Sequence, residues 1–199
     1  MRVWTKVEEP MDVRVLVPYV KSNHRLQTVV DCLRIQFVQP ELHKVNDGDA
    51  YWRLLDETWR QGREFFVVEH DVIAWPGAIG TMQACPEPWC TLGLLCHGRL
   101  ITTTLGCVKF GAVLMEREPE FWSDIPKTWF HLDANSSSRL GWPDIRPCVH
   151  EPPGIHLNEV QWPDSISKRW AVSRKVVWQS MEAGGEPVAR MSYKQEEAR

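Results

Sequence analysis

Three polar residues that can bind a metal ion, Glu69, His70 and Asp71, follow one another directly after the apolar run FFVV. Carboxylate oxygens and an imidazole nitrogen are suitable ligands for a divalent ion, and this set favours Mn²⁺ or Mg²⁺ over zinc. Such an ion commonly neutralises a diphosphate group. The alternative interpretation is that the three residues begin a solvated loop, because loops are polar in most proteins.

Two further clusters contain residue types that such a site would use. The segment NDGD contains Asp47 and Asp49, and a later segment contains His150 and His156. Each cluster flanks a predicted strand, and ligands in open α/β sheets bind beyond the carboxyl ends of the strands. We therefore expect Asp71 and one late histidine, His150 or His156, to provide the protein's ligands to the ion.

A group of cysteines suggests a different metal. Cys85, Cys90 and Cys96 lie close together in the chain, and His97 follows the last of them. Ligand pairs in zinc sites are usually spaced more tightly, and no second pair completes this group. Two interpretations stay open, a structural zinc site and a set of buried thiols.

The elements that must position these residues alternate between strand and helix. Continuous apolar runs predict buried strands, and apolar residues at helical spacing predict helices between them. The expected order is a strand at 13–17, a helix at 24–36, a strand at 41–45, a helix in YWRLLDETWRQG and a strand at 64–69. This alternation predicts an α/β domain with a mainly parallel sheet flanked by helices.

The second half of the chain is less regular. We expect a helix from Pro76, two strands with a turn at His97–Gly98, and helical segments in AVLMEREPEFW and WFHLDANSSSRLGW. A strand in IRPCVHEPPGIHLN should end in a loop stiffened by proline. The predicted domain spans residues 1–160, and residues 161–199 are predicted to form a C-terminal helix and a frayed tail.

Composition narrows the class of protein. The 199 residues are 43% hydrophobic and 25% charged, which suits one domain with a sizeable core. A formal charge of −3 argues against a strongly basic nucleic-acid binder. The sequence shows no signal peptide and no apolar stretch of about 18 residues. We therefore expect no integral membrane segment, a cytoplasmic location and mostly reduced cysteines.

The order of the segments VRVLVPYV, VNDGDA, FFVVEHDVIAWPGAI and TLGCVKFGAVLM resembles a small glycosyltransferase of the GT-A type. The resemblance covers about residues 12–160. It implies that a nucleotide-sugar lies across the strand ends and that an Asp-x-Asp motif closes the central strand. Here that motif is Glu69-His70-Asp71, with glutamate as its first acid.

The resemblance also implies roles for single residues around the donor. Asp71 matches the acid that binds the metal, and Glu69 would face the ribose or the metal. Asp47 or Asp49 matches an acidic position that contacts the nucleoside. The segment after the first strand, with Pro18 and Tyr19, would pack around the base.

The resemblance further implies a metal-dependent transfer of a sugar from a nucleoside diphosphate sugar to a hydroxyl group. Asp133 matches a catalytic acid at the start of a helix and is the candidate base, with His131 as a weaker alternative. His150 or His156 matches a late histidine that binds the metal. The acceptor stays open between a glycan, a protein, a small metabolite and a hydroxylated DNA base, so a nucleic-acid partner is one of the options.

Two other classes of function compete with this interpretation. The first is a module of the same fold that binds a nucleotide or sugar without turnover. The second is an interaction protein stapled by zinc at Cys85, Cys90, Cys96 and His97. Lys109, in the segment CVKFG, could meet a phosphate, but a solvent-exposed position is the expectation for a lysine.

Overall fold

The computed structural model describes residues 11–47, 49–96, 99–101, 105–127, 132, 136, 139 and 147–157. All of these residues belong to a unit that ends at Leu157. The predicted boundary at residue 160 and the predicted C-terminal helix and tail lie outside the described residues and stay predictions. In the described ranges, no helix is both long and apolar enough to cross a membrane.

The N-terminal half alternates strand and helix as the sequence predicts. Its elements are β1 (Val15–Tyr19), α1 (His24–Ile35), β2 (Glu41–Lys44), α2 (Ala50–Trp59) and β3 (Phe65–Val68). Helix α1 begins at a capping residue, since Asn23 Oδ1 accepts hydrogen bonds from the backbone N–H groups of Arg25 and Leu26 at 3.1 and 3.2 Å. After α2, Gly62 adopts a left-handed conformation with φ of 66°, which a glycine reaches without steric cost.

The second half has more strands than the sequence predicts. Its elements are β4 (Val72–Ile73), α3 (Ala78–Ala84), β5 (Trp89–Cys96), β6 (Arg99–Ile101), β7 (Cys107–Phe110), α4 (Ala112–Arg117), a 3₁₀ turn (Phe121–Asp124) and β8 (Cys148–His156). The hairpin of β5 and β6 matches the two strands expected around His97–Gly98. Helix α3 is joined to α1 by Gln36, whose Oε1 accepts from the N–H groups of Gly77 and Ile79.

The strands form one mixed sheet in the order β2-β1-β3-β7-β5-β8-β4, with β6 paired to β5. The strands at 13–17, 41–45 and 64–69 are neighbours and run parallel, as expected. The expectation of a mainly parallel sheet holds only in part, because the sheet is mixed and β7 lies antiparallel between β3 and β5. All four residues of β7 are buried, Lys109 included, so burial on both faces does not distinguish it from a parallel strand.

Strand β8 also differs from the expectation of a strand followed by a loop. It continues through Pro152 and Pro153 to His156 and runs parallel to β5. Its register shifts between Leu92 and Leu94 of β5, and such a bulge accommodates prolines that cannot donate to the ladder. At Gly154 the strands approach closely, since an added Cβ would lie 3.1 Å from the carbonyl oxygen of Ile73.

An aromatic layer covers one face of the sheet and fixes α2 against it. Trp59 of α2 is 1% exposed and stacks on Phe121 with ring centroids 4.9 Å apart. Its Nε1 donates to the carbonyl oxygen of Glu118 at 2.9 Å, and Trp52 Nε1 donates to that of Trp122 at 3.0 Å. The indole nitrogens of Trp59 and Trp52 therefore avoid the cost of an unpaired buried donor, whereas Trp122 Nε1 has no hydrogen-bond partner in the described residues.

Candidate functional site

The residues Glu69, His70 and Asp71 form the turn that connects β3 to β4. The N–H of Val72 donates to the carbonyl oxygen of Glu69 at 2.9 Å and closes the turn. The N–H of Glu69 donates to the carbonyl oxygen of Gly106, just before β7. Because β3 is buried at all four positions, the polar residues begin where the chain leaves the sheet at its carboxyl edge.

Strand β8 brings a histidine from far along the chain to this turn. In the antiparallel pair of β4 and β8, His156 lies opposite Val72. The N–H of Leu157 donates to the carbonyl oxygen of Asp71 at 2.6 Å. His156 Nε2 then lies 3.6 Å from Asp71 Oδ2.

Together, Glu69, Asp71 and His156 form a group, here called the acidic cluster, whose candidate ligand atoms all lie within 4.8 Å of one another. The side chains of Asp71 and His156 are 18% and 21% exposed, so solvent still reaches them. An octahedral ion with ligands at about 2.1 Å holds adjacent ligand atoms about 3 Å apart, so small side-chain rotations would suffice. Two carboxylates and one imidazole fit Mn²⁺ or Mg²⁺.

One buried nitrogen atom of the acidic cluster has no hydrogen-bond partner in the described residues. This atom is His156 Nδ1. A histidine that binds a metal through one nitrogen usually donates a hydrogen bond from the other. No protein atom in the described residues therefore accepts the hydrogen bond that His156 Nδ1 would donate in a metal site.

The acidic cluster borders a cavity of about 230 Å³ at the carboxyl edge of the sheet. The lining residues come from several elements and loops: Pro18, Tyr51, Glu69, His70, Asp71, Leu105, Leu132 and His156. The sequence analysis did not single out Tyr51, Leu105 or Leu132 for this role. Tyr51 could have been found, because it follows NDGD at the start of α2, where a helix begins beside the strand ends.

The other acids expected near the donor have partners of their own. Asp47 and Asp49 follow the carboxyl end of β2 and so lie at the same edge of the sheet as Asp71. They do not line the cavity, and both bind Arg53. Side-chain hydrogen bonds with Asp49 and Arg53 lower the pKa of Asp47, so it stays ionised.

Only some of the remaining predicted residues lie at the cavity or the acidic cluster. Pro18 lines the cavity, whereas Tyr19 does not; the Tyr19 carbonyl accepts from the N–H of Val45 at 2.9 Å. Of the two late histidines, His156 reaches the acidic cluster and His150 lies beside cysteines instead. Asp133 and His131 fall outside the described residues, and their roles stay predictions.

The expected cysteine group is only partly assembled. Cys85 and Cys90 come together with Cys148 and His150, which lie much later in the chain. Cys96 lies at the opposite end of β5 from Cys90. His97 is outside the described residues.

Comparisons with known proteins identify the fold. No known protein-family profile matches the sequence, and no curated protein matches it. A solved structure of a glycosyltransferase involved in the glycosylation of the major capsid of PBCV-1 superimposes with a TM-score of 0.50. It is 14% identical and covers 74% of this chain and 94% of its own.

The chain has a GT-A-like fold. The resemblance predicted from the sequence is therefore confirmed at the level of the fold. A structure named for a glucose-1-phosphate thymidylyltransferase from Bacillus anthracis, in complex with a sucrose, is more distant. Its TM-score is 0.40 at 11% identity, over 70% of this chain and 68% of that one.

Proposed function

We propose that the protein is a metal-dependent glycosyltransferase that moves a sugar from a nucleoside diphosphate sugar to a hydroxyl group. The observation that carries this proposal is the convergence of Glu69, Asp71 and His156 at the carboxyl edge of the sheet. Ligands of open α/β sheets bind at this edge. The fold shared with a glycosyltransferase supports the same reaction class.

The acidic cluster suits the charge balance of such a reaction. Bound Mn²⁺ or Mg²⁺ would supply the positive charge that stabilises the departing diphosphate. Asp71 and Glu69 offset part of that charge, and His156 adds a neutral ligand held in place by the pairing of β4 with β8. Three protein ligands leave other coordination positions free for phosphate oxygens.

The size of the cavity suggests which part of the donor it would hold. At about 230 Å³ it is smaller than the roughly 300–1,000 Å³ of typical small-molecule pockets. It would therefore hold the diphosphate end, with Pro18 and Tyr51 as walls. The nucleoside would extend along the same edge toward β2, where Asp47 or Asp49 would contact it and Tyr19 would lie beside the base.

An inverting transfer also needs a base that accepts the proton of the acceptor hydroxyl. We propose Asp133 for this role on the basis of the sequence resemblance. Leu132, the residue before it in the chain, lines the cavity, which supports testing this position. The acceptor remains one of the hydroxyl compounds considered above.

The proposal can be tested with a panel of nucleoside diphosphate sugars in the presence of Mn²⁺, Mg²⁺ or EDTA. Thermal shift measures donor binding, and release of nucleoside diphosphate measures turnover. We expect one donor or a small set to raise the melting temperature only with metal, accompanied by slow hydrolysis. Metal-dependent binding without any turnover on candidate acceptors would favour the non-catalytic module, and the absence of donor binding would refute both.

Asp133→Asn separates the base from the donor site. It should leave the donor dissociation constant nearly unchanged while kcat falls, because a base acts only in the transition state. Equal loss of binding and turnover would contradict this role.

A further inference from the structure

A second group of potential ligands lies away from the acidic cluster and consists of Cys85, Cys90, Cys148 and His150. Their sulfur atoms and one imidazole nitrogen all lie within 4.8 Å of one another. The group is half-buried to buried, with Cys90 completely inaccessible. We call it the cysteine cluster.

The fold explains how these four residues meet. Strands β5 and β8 run parallel, and Cys90 lies opposite Cys148 in their register. His150 is two residues beyond Cys148, so both side chains are on the same face of β8. Cys85 directly follows α3, and the segment CPEPWC returns the chain from that helix to β5.

The geometry fits a tetrahedral ion. With Zn–S bonds of about 2.3 Å, sulfur atoms in a tetrahedral zinc site lie about 3.8 Å apart. The observed spread of up to 4.8 Å is close to that value without any metal in place. His150 Nε2 is buried and has no hydrogen-bond partner in the described residues, and an unsatisfied buried nitrogen of this kind is costly unless a cation binds it.

A buried lysine beside the cluster points to a missing negative charge. Lys109 was expected to be exposed, and this expectation is wrong: its side chain is only 2% exposed. It lies opposite Cys90 in the pairing of β5 with β7, and its Nζ donates to the carbonyl oxygen of Cys85 at 2.6 Å. The carboxylate of Glu64 is 3.9 Å away and 40% exposed, so it compensates the charge only partly.

A zinc ion would resolve this imbalance. Zn²⁺ with three thiolates and one neutral imidazole carries one net negative charge, which the ammonium group of Lys109 would neutralise.

We propose that Cys85, Cys90, Cys148 and His150 bind one Zn²⁺ in a closed structural site. Four protein ligands leave no open position, which distinguishes a structural zinc from a catalytic one. The ion would fasten the end of α3 and the start of β8 to β5. Thiolate ligands select zinc, whereas the oxygen-rich acidic cluster selects Mn²⁺ or Mg²⁺, so the two sites take different metals.

The proposal is tested by metal analysis of the full-length chain, expressed with zinc and purified under reducing conditions. Wild type should contain about one zinc per chain after gel filtration. Cys148→Ser and His150→Ala should reduce this content to near zero, whereas the control Cys32→Ser on α1 should retain it. Replacement by Co²⁺ should give the charge-transfer absorption of a thiolate-bound tetrahedral ion.

A second measurement on the wild-type chain does not depend on whether a variant folds. Alkylation followed by peptide mapping, with and without added Zn²⁺, should show that zinc protects the partly exposed Cys85 and Cys148 together, while Cys32 reacts equally in both. The proposal is overturned if wild type holds no zinc after dialysis against it, or if both ligand variants retain it. A disulfide among these cysteines in a separate preparation, expressed with zinc and purified without reductant, would overturn it as well. None of these outcomes depends on donor binding or glycosyl transfer.

Discussion

Replacing Asp71 by asparagine keeps the shape of the side chain and removes one negative charge from the acidic cluster. His156 Nε2 lies 3.6 Å from Asp71 Oδ2, so an ion bound to that nitrogen would lie close to the carboxylate. At about 4 Å and an effective dielectric constant of about 20, two unit charges attract by roughly 4 kcal/mol. A divalent ion doubles this attraction.

Dehydration of the ion and the carboxylate cancels more than half of that gain. Because Asp71 is 18% exposed, water also screens part of the remainder. We therefore expect a net loss of about 2.7 kcal/mol, which corresponds to Mn²⁺ binding that is about 100-fold weaker. Glycosyl transfer should nearly disappear at Mn²⁺ concentrations that saturate wild type.

Isothermal calorimetry of Mn²⁺ binding, and of donor binding with and without Mn²⁺, measures this effect. Asp31→Asn is the matched control, because Asp31 lies on α1 and accepts from Gln27 Nε2 at 2.8 Å, an interaction that asparagine retains. The control should bind metal as wild type does. If Asp71→Asn binds Mn²⁺ and donor as tightly as wild type, with the same metal dependence, the turn after β3 is a solvated loop and the reasoning is refuted.

Three further predictions follow from other parts of the structure. His156→Ala should weaken Mn²⁺ binding by at least the roughly 10–100-fold seen for outer-shell changes and leave the zinc content intact. His150→Ala should remove the zinc and leave Mn²⁺ binding intact. Calorimetry measures the first metal and metal analysis the second, and a variant that loses both would contradict the separation of the two sites. Trp59→Ala should lower the free energy of unfolding by about 3–5 kcal/mol in urea titrations, and a loss below about 1 kcal/mol would show that the aromatic layer repacks. Burial raises the pKa of Glu41, but hydrogen bonds and charge from Arg14 outweigh this effect and lower it. The ionised Glu41 therefore stabilises the folded protein fully above about pH 4.3, and this stabilisation is lost as the pH falls through the lowered pKa. Arg14→Met should reduce this loss of stability at low pH, which is below about 1 kcal/mol. An unchanged pH dependence of the free energy of unfolding would argue against the ion pair of Arg14 and Glu41.

The sequence predicted the parallel core of the sheet because local signals there agree with one another. The apolar runs of β1 and β3 are buried on both faces, and α1 between β1 and β2 has a clear N-terminal cap and apolar periodicity. The position of Asp71 at the carboxyl edge follows from this order alone. The sequence could also propose a late histidine, but not which of two, because that choice depends on the register of β8.

What the sequence could not predict depends on pairing between distant strands. The antiparallel β7 is buried at all four positions, as a parallel strand would be, and its residue types do not indicate the direction in which it runs. Cys148 and Cys90 are adjacent only because β5 and β8 pair in one particular register. Lys109 is buried in the middle of a strand because its ammonium group has partners that local sequence does not reveal.

The pairing of β8 has a consequence for the order in which the chain folds. Within the described ranges, β4 joins the sheet only through β8, and Arg25 Nη1 contacts the carbonyl oxygen of Leu157 across a separation of 132 residues. Contacts between segments so far apart in sequence form slowly, because a long loop must close before they contribute. During synthesis, β1, β2 and β3 can assemble while β8 is not yet available. The acidic cluster should therefore be completed last, so a kinetic intermediate would contain the parallel core and lack metal affinity.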